Sequence, residues 1–121
     1  MPTDPSLIQI ALTPRFQKEL RILAKRYRHI RSDLQSLIQD LEAGNLPGEQ
    51  ISGVKLPLFK VRVKNSDIQK GKSAGYRVIY YLKTQSQIIL VTIYAKSDTA
   101  DVDLKTLRDA IKQYERQFND E

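Results

Sequence analysis

The stretch that decides the fold runs from Gln69 to Lys83 and reads QKGKSAGYRVIYYLK. It opens as a cationic loop with a glycine at each end, residues 71–75, and continues as a strand-like segment from Tyr76 onward. Just upstream, residues 58–64 form a second strand-like segment in which apolar and cationic side chains alternate. Because successive strand side chains point to opposite faces, this alternation predicts one apolar face and one cationic face. The cationic face carries Lys60, Arg62 and Lys64.

The position of Arg77 extends this cationic face. If the strand of residues 58–64 pairs with the strand that starts at Tyr76, its cations lie beside Arg77. A concentrated cationic surface on a rigid sheet suits the binding of phosphates. The sequence therefore predicts a phosphate-binding surface at this pair of strands.

The N-terminal half predicts a strand followed by two helices. Residues 7–12 predict a short strand, with Thr13 as the N-cap and Pro14 as the first residue of a helix. Apolar residues then recur at helical spacing in two runs, with Gly44 as the C-terminal cap of the second helix and Pro47 preventing its continuation. The runs are Phe16, Leu20, Leu23 and Tyr27, then Ile30, Leu34, Leu37, Ile38 and Leu41. Two helices joined so closely predict an antiparallel hairpin.

The C-terminal half predicts three strands and a helix. A loop over residues 45–58 precedes the strands, which span 58–64, 76–83 and 87–94. The last strand is apolar on both faces, so we expect it inside the sheet. Ser97 or Asp98 is expected to cap the final helix, whose apolar stripe is Leu104, Leu107, Ile111, Tyr114 and Phe118.

This order of elements predicts an α+β fold, a small and mostly antiparallel β-sheet with an N-terminal helical hairpin and a C-terminal helix. We expect one domain over residues 1–121, with residues 1–6 loose.

Composition bounds the classes of function. The net charge is +6, from 20 Lys and Arg against 14 Asp and Glu, and the basic residues concentrate in residues 14–33 and 53–83. This favours a polyanionic partner, nucleic acid first and an acidic protein second, over a merely soluble surface. The chain has no cysteine for a disulfide or thiolate metal site. Neither a membrane-spanning apolar run nor a signal peptide is recognisable, so a cytoplasmic location is expected.

Several kinds of catalytic site are unlikely on the residues alone. A phosphate loop would need glycine at Ser66 and a helix, rather than a strand, after residues 71–73. His29 is the only histidine and is expected at the surface, and it cannot form a metal cluster alone. The closest acidic pairs, Asp101 with Asp103 and Asp40 with Glu42, are two residues apart on predicted helices, so their side chains diverge.

The cationic face remains as the candidate site. An arginine keeps its charge and can bind a phosphate through two hydrogen bonds. A lysine close to other cations has its charged form disfavoured, so it can transfer protons. These groups suffice for metal-free RNA cleavage by the neighbouring 2′-hydroxyl, and they also suffice for binding alone. From the residues alone, binding ranks above catalysis.

The order of elements, together with FKVRVK, GKSAGYRVIYYL and ILVTIYAKSD, resembles the RelE/ParE superfamily of toxins from bacterial type II toxin–antitoxin modules. Within it, the sequence is most similar to the HigB/RelE-like branch, and Gly75-Tyr76-Arg77 is the strongest anchor. The resemblance implies that a cognate antitoxin holds the protein inactive. RelE-like members cut mRNA in the ribosomal A site, whereas ParE-like members inhibit DNA gyrase. No metal or organic cofactor is implied.

The resemblance also assigns residues by position. It implies catalytic roles for Arg77, Lys60 and Arg62. Further RNA contacts are expected from Lys64, Lys72, Lys96, Tyr76 and Tyr94. Two positions depart from the RelE pattern, because Ser97 stands for a second arginine and Asp103 for a C-terminal tyrosine. The expected function is therefore a ribosome-dependent mRNA endonuclease, with a gyrase inhibitor or an inactive RNA- or antitoxin-binding module as alternatives.

Overall fold

Five strands and three helices make up the fold, in a computed structural model that describes residues 8–68, 74–98 and 101–119. The elements follow one another as β1 Gln9–Leu12, α1 Pro14–Arg26, α2 Ile30–Glu42, β2 Glu49–Gln50, β3 Leu58–Val63, β4 Tyr76–Thr84, β5 Gln87–Ala95 and α3 Leu104–Asn119.

The strands form one sheet in the order β1-β5-β4-β3-β2. β1 runs parallel to β5, and every other neighbouring pair is antiparallel. β5 therefore lies inside the sheet, as its run of apolar residues predicts. The α+β class with a mostly antiparallel sheet is confirmed.

Thr13 starts α1 and ties it to the sheet. Its Oγ1 accepts a hydrogen bond from the Phe16 N–H at 3.0 Å and donates one to the Val91 carbonyl at 2.7 Å. Pro14 occupies the first turn, where a missing N–H costs nothing. Both predicted roles are confirmed, and the side chain of Thr13 is fully buried.

Helices cover both faces of the sheet. On one face, α1 and α2 pack their apolar stripes, including Phe16 and Leu34, against a cluster with Val61, Val78 and Leu90. On the other face, α3 packs Leu107, Ala110 and Ile111 against a second cluster that contains Leu58 and Ile79. The two clusters arise because alternate strand residues point to opposite sides. No helix in the described part of the chain is long and apolar enough to cross a membrane.

Two expectations about element boundaries were wrong. The segment expected as a loop over residues 45–58 contains the short strand β2, where Glu49 pairs with Lys60. α3 begins at Leu104 rather than just after Ser97 or Asp98, because Asp103 caps it. The Asp103 Oδ1 accepts a hydrogen bond from the Thr106 N–H at 2.8 Å. Asp101 and Asp103 thus precede the helix, and the expectations for residues 1–7 and for the side chain of Phe118 lie outside the described residues.

Candidate nucleic-acid interface

Strand register brings the cations of β3 against Arg77. In the β3–β4 pairing, Arg62 lies opposite Arg77 and Lys60 lies opposite Ile79. In the β4–β5 pairing, Arg77 lies opposite Tyr94. Arg62, Arg77 and Tyr94 therefore form a row across three strands, on the face of the sheet that α3 covers in part. The predicted placement of Arg77 beside the cationic strand is confirmed.

A groove of about 430 Å³ opens over this row. Its lining is four cations, one acid and one glycine: Lys60, Arg62, Arg77, Lys96, Glu49 and Gly48. Lys96 joins the groove from the end of β5, where its backbone N–H donates to the Gly75 carbonyl at 3.0 Å. The local charge is thus strongly positive, which suits a bound phosphate.

Arg77 is held more firmly than the other cations. Its side chain is only 6% exposed, and it is the one charged residue among the described residues that is buried. Its Nη1 donates to the backbone carbonyl of Tyr76 at 3.3 Å. Because the opposite residue, Arg62, has the same charge, the pair is electrostatically unfavourable without an anion between or above the two groups. The arrangement favours the binding of an anion.

Asp101 borders Lys60 from the segment that leads into α3. Its Oδ1 accepts hydrogen bonds from the Val102 N–H at 2.9 Å, from the Tyr94 hydroxyl at 3.4 Å and from the Lys60 ammonium at 3.5 Å. These contacts, the Val102 N–H first, hold the pKa of Asp101 below its usual range. An ionised carboxylate therefore competes with any phosphate for Lys60.

The two tyrosines that were expected to contact RNA are buried. Tyr76 is fully buried in the cluster under α1 and α2, where its ring lies edge-on to Tyr27, so it does not lie in the groove. Tyr94 lies in the row but is only 6% exposed, and burial raises the pKa of its hydroxyl. Neither ring offers a free face for stacking on a base, and this part of the prediction was wrong.

Two further expected contacts lie away from the groove or outside the described residues. Lys64 follows β3 and lines a separate recess beside α2, together with Asp33 and Asp40. Arg62 lines both this recess and the groove, so Lys64 lies on the flank of the site. Lys72 belongs to residues 69–73, which lie outside the described residues.

The two departures from the RelE pattern have defined places. Ser97 is exposed just beyond β5. Asp103 caps α3, and the hydrogen bonds from Thr106 hold the pKa of its carboxyl below the usual range. Asp103 is therefore committed to the helix and lies outside the groove lining.

Sequence reasoning missed three residues at the site. Gly48 and Glu49 belong to a short segment with no strand signal, and only the β2–β3 pairing brings them beside Lys60. Asp101 was considered only as half of an acidic pair. The glycine in the Pro47-Gly48 turn was a signal for close backbone approach, since a Cβ at Gly48 would collide with the carbonyl of Lys60.

Comparison with solved structures supports the fold. A mutant of the E. coli toxin RelE in the free state aligns with this chain at a TM-score of 0.52 and 17% sequence identity. The match covers 86% of this chain and 94% of the RelE chain. The architecture is that of a small RelE-like toxin fold. Among curated proteins, none matches this sequence significantly.

The sequence itself identifies the family. The family model described as the RelE toxin of the RelE / RelB toxin-antitoxin system matches residues 15–120. The chain belongs to this family of toxins, whose partner is an antitoxin.

Proposed function

We propose that this toxin is a ribosome-dependent endoribonuclease that cuts mRNA and so inhibits translation. One observation supports the proposal above all others. Arg62 and Arg77 lie opposite each other on neighbouring strands, and Lys60 and Lys96 line the same groove. Four cations around one groove suit an RNA phosphate and the additional negative charge that it develops during cleavage.

The chemistry needs three services from the protein. The 2′-hydroxyl of one nucleotide attacks the adjacent phosphorus, and the bond to the 5′-oxygen of the next nucleotide breaks. The products are a 2′,3′-cyclic phosphate and a free 5′-hydroxyl. A base must take the proton of the 2′-hydroxyl, an acid must protonate the leaving 5′-oxygen, and cations must stabilise the negative charge on the phosphate.

The groove offers a group for each service. Arg77, fixed by burial and by its bond to the Tyr76 carbonyl, stabilises the phosphate charge, and Arg62 adds a second guanidinium from β3. Lys60 assists in proton transfer, and the carboxylate of Glu49, paired with Lys60 in register, is a second candidate for the base. Lys96 holds a flanking phosphate.

The lack of a stacking surface explains why a ribosome is needed. The groove's described lining residues include no aromatic side chain, and Tyr94 is buried beneath it. Base–aromatic stacking supplies much of the affinity of proteins for single-stranded RNA. Without it, the groove would hold free mRNA weakly, and the ribosome would supply the orientation of the substrate. An activity on ribosomes would place the protein in the cytoplasm.

The antitoxin is expected to silence this activity. A cognate antitoxin would cover the cationic groove or displace α3, whose N-terminal end lies beside the Lys60–Asp101 contact. Either route would remove the groove from RNA.

One observation favours an alternative function. Asp103, which stands for the tyrosine of the RelE pattern, is committed to capping α3, and Ser97 offers no charge. A toxin that has lost these two groups could instead inhibit DNA gyrase without cutting RNA, as ParE-like members of the superfamily do. An inactive module that only binds RNA or the antitoxin is the remaining alternative.

The test is mRNA cleavage in a purified translation reaction, with and without ribosomes. We expect cuts that require ribosomes and that disappear in Arg77→Ala and in Arg62→Ala. Because Arg77 is buried and its loss could impair folding, the exposed Arg62 supplies the second variant. Lys105→Ala, on the exposed side of α3, is the control and should cut like the wild type. Intact mRNA and normal translation with the wild type would refute the proposal and lead to a gyrase supercoiling assay.

A further inference from the structure

A second cationic surface lies on α1. Residues 14–32 contain seven basic side chains and a single acid, Glu19. The helix packs Phe16 and Leu23 onto the cluster that it shares with α2. The candidate groove lies on the other face of the sheet, beside α3. This surface is therefore separate from the groove, and the proposed cleavage reaction does not use it.

The one acid of this segment is turned away from solvent. The Glu19 Oε1 accepts hydrogen bonds from the Thr92 hydroxyl at 2.6 Å and from the Ile93 N–H at 3.2 Å. Its Oε2 lies 3.4 Å from the Arg15 Nε. Burial raises the pKa of Glu19 in spite of these contacts. Glu19 thus neutralises Arg15 and leaves the charge of the outer surface uncompensated.

The outer surface of α1 carries a stripe of exposed cations, Lys18, Arg21 and Lys25. Their spacing of three and four residues places them on one side of the helix, over about 10 Å of its axis. Among the described residues, no carboxylate lies within ion-pair distance of any of the three. Arg26 differs, because it pairs with Asp98 at 2.8 Å. The stripe is therefore available to an external anion.

We propose that the α1 stripe, defined as Lys18, Arg21 and Lys25, docks on the phosphate backbone of double-helical RNA. A nucleic-acid duplex carries about one phosphate per 1.7 Å of axis, so three cations spread over about 10 Å find phosphates within reach at any sequence. Proteins recognise double-stranded RNA mainly by its shape and its phosphates, and neither demands base contacts from the helix.

A protein partner fits the stripe less well. The only large apolar side chain exposed there is Ile22, at 53%. Protein interfaces generally need a cluster of buried apolar or aromatic anchors at their centre, and a single isoleucine surrounded by cations does not supply one. Charge complementarity therefore selects RNA as the occupant.

The test measures binding of a short blunt RNA duplex by fluorescence anisotropy over a series of salt concentrations. The variant is Lys18→Gln/Arg21→Gln/Lys25→Gln. α3 offers a matched control, Lys105→Gln/Arg108→Gln/Lys112→Gln, which removes the same residue types at the same spacing from another exposed helix face. Both variants lower the net charge by three, so a difference between them reports the position of the charges.

We expect the control to bind like the wild type. The α1 variant should bind at least about 10-fold more weakly at low salt, and its log-log salt slope should be shallower by about two to three units, for three lost phosphate contacts. Equal loss in both triple variants, or no loss in the α1 variant, would overturn the proposal.

Two further measurements keep this outcome clear. Thermal unfolding of each variant should match the wild type, since all six side chains are exposed. Binding to poly-L-glutamate tests the other polyanion, and a loss there with RNA binding intact would assign the stripe to an acidic protein and overturn the RNA proposal. A blunt duplex offers no single strand to the groove, so this result does not depend on whether the toxin cuts mRNA.

Discussion

Arg62 and Arg77 face each other across β3 and β4 as a pair without backbone hydrogen bonds between them. The register places them opposite each other, and the bond from the Leu82 N–H to the Pro57 carbonyl fixes which pairs are hydrogen-bonded. Since such pairs alternate along antiparallel strands, the Arg62–Arg77 pair belongs to the closer kind, with Cα atoms about 4.5 Å apart. Two guanidinium groups are thereby held together by the backbone, at a cost to stability.

Arg62→Ala is expected to separate activity from stability. Removing one of two like charges that lie opposite each other should keep or raise the free energy of unfolding, by up to about 1 kcal/mol. The same change should abolish mRNA cleavage, because the phosphate loses a guanidinium. Urea denaturation and the cleavage assay measure the two effects. Lys64→Ala, which removes a cation on the flank of the site, is the control for general charge loss. A variant that is both less stable and fully active would contradict this account.

Gly48→Ala should disturb the groove through the backbone. Gly48 has φ +93°, and a Cβ there would collide with the Lys60 carbonyl, so β2 must move away from β3. Gly44 has φ +91° with open space around it, so Gly44→Ala tests the strain of the positive φ alone. We expect Gly44→Ala to cost about 1–2 kcal/mol of unfolding free energy and to leave cleavage intact. Gly48→Ala should cost more and should also lower cleavage. Equal effects of the two changes on both measurements would argue against the collision.

Asp101→Asn should strengthen RNA binding. The change keeps the size of the side chain but removes the carboxylate that lies 3.5 Å from the Lys60 ammonium. The freed Lys60 can then bind a phosphate, so affinity for a single-stranded RNA should rise a few-fold at low salt and the gain should shrink as salt is added. Asp98→Asn is the matched control, because that exposed carboxylate pairs with Arg26 instead. Weaker binding by Asp101→Asn would show that the carboxylate orients Lys60 rather than competing for it.

The contact between His29 and Asp67 should make stability depend on pH. The His29 Nδ1 lies 2.7 Å from the Asp67 Oδ1, and the His29 backbone N–H donates to the Oδ2 at 2.9 Å. The hydrogen bond to Asp67 is the main reason that the pKa of His29 is raised above 6.5, and Asp33 adds to the effect while Arg28 opposes it. The pKa of Asp67 is lowered, first by the same bond.

The sign of this pH dependence follows from the raised pKa of His29. The folded protein holds the proton more tightly than the unfolded chain, so the stabilisation is fully present below pH 6.5 and is lost as pH rises through the folded pKa. The free energy of unfolding of the wild type should therefore exceed that of His29→Gln by more at about pH 5.5 than at about pH 9. Asp67→Asn should remove the same pH dependence. A difference that does not change with pH would show that the charged contact does not stabilise the fold.

Local patterns predicted most of the fold. The alternation of residues 58–64 and the doubly apolar β5 fixed the faces of the sheet, and Thr13-Pro14 marked the start of α1 correctly. These features depend on side chains close in sequence, whose periodicity and capping preferences are strong. Lys60, Arg62 and Arg77 were brought together by the same reasoning, since pairing of consecutive strands is the common arrangement.

The missed features depend on contacts between distant segments. β2 has only two residues and gains its strand geometry from pairing with β3, so no local periodicity marks it. Asp101 reaches Lys60 across 41 positions of sequence. Ser97, Asp98 and Asp103 are all suitable caps by residue type, and the fold selects Asp103. Tyr76 and Tyr94 are polar enough for a surface site, but packing against the helices decides their burial.

The shortness of β2 has a consequence for how the protein behaves at high concentration. By the β2–β3 register, Pro47 stands where the next residue would pair with Arg62, and proline has no N–H to offer. β3 beyond Lys60 is therefore an open sheet edge, of the kind through which chains pair with copies of themselves and aggregate. Arg62 and Lys64 are exposed along that edge, and charged side chains there discourage such pairing. The same residues that are expected to attract RNA thus keep toxin molecules apart. Variants that neutralise both should lose solubility, and light scattering should accompany any assay in which they are compared.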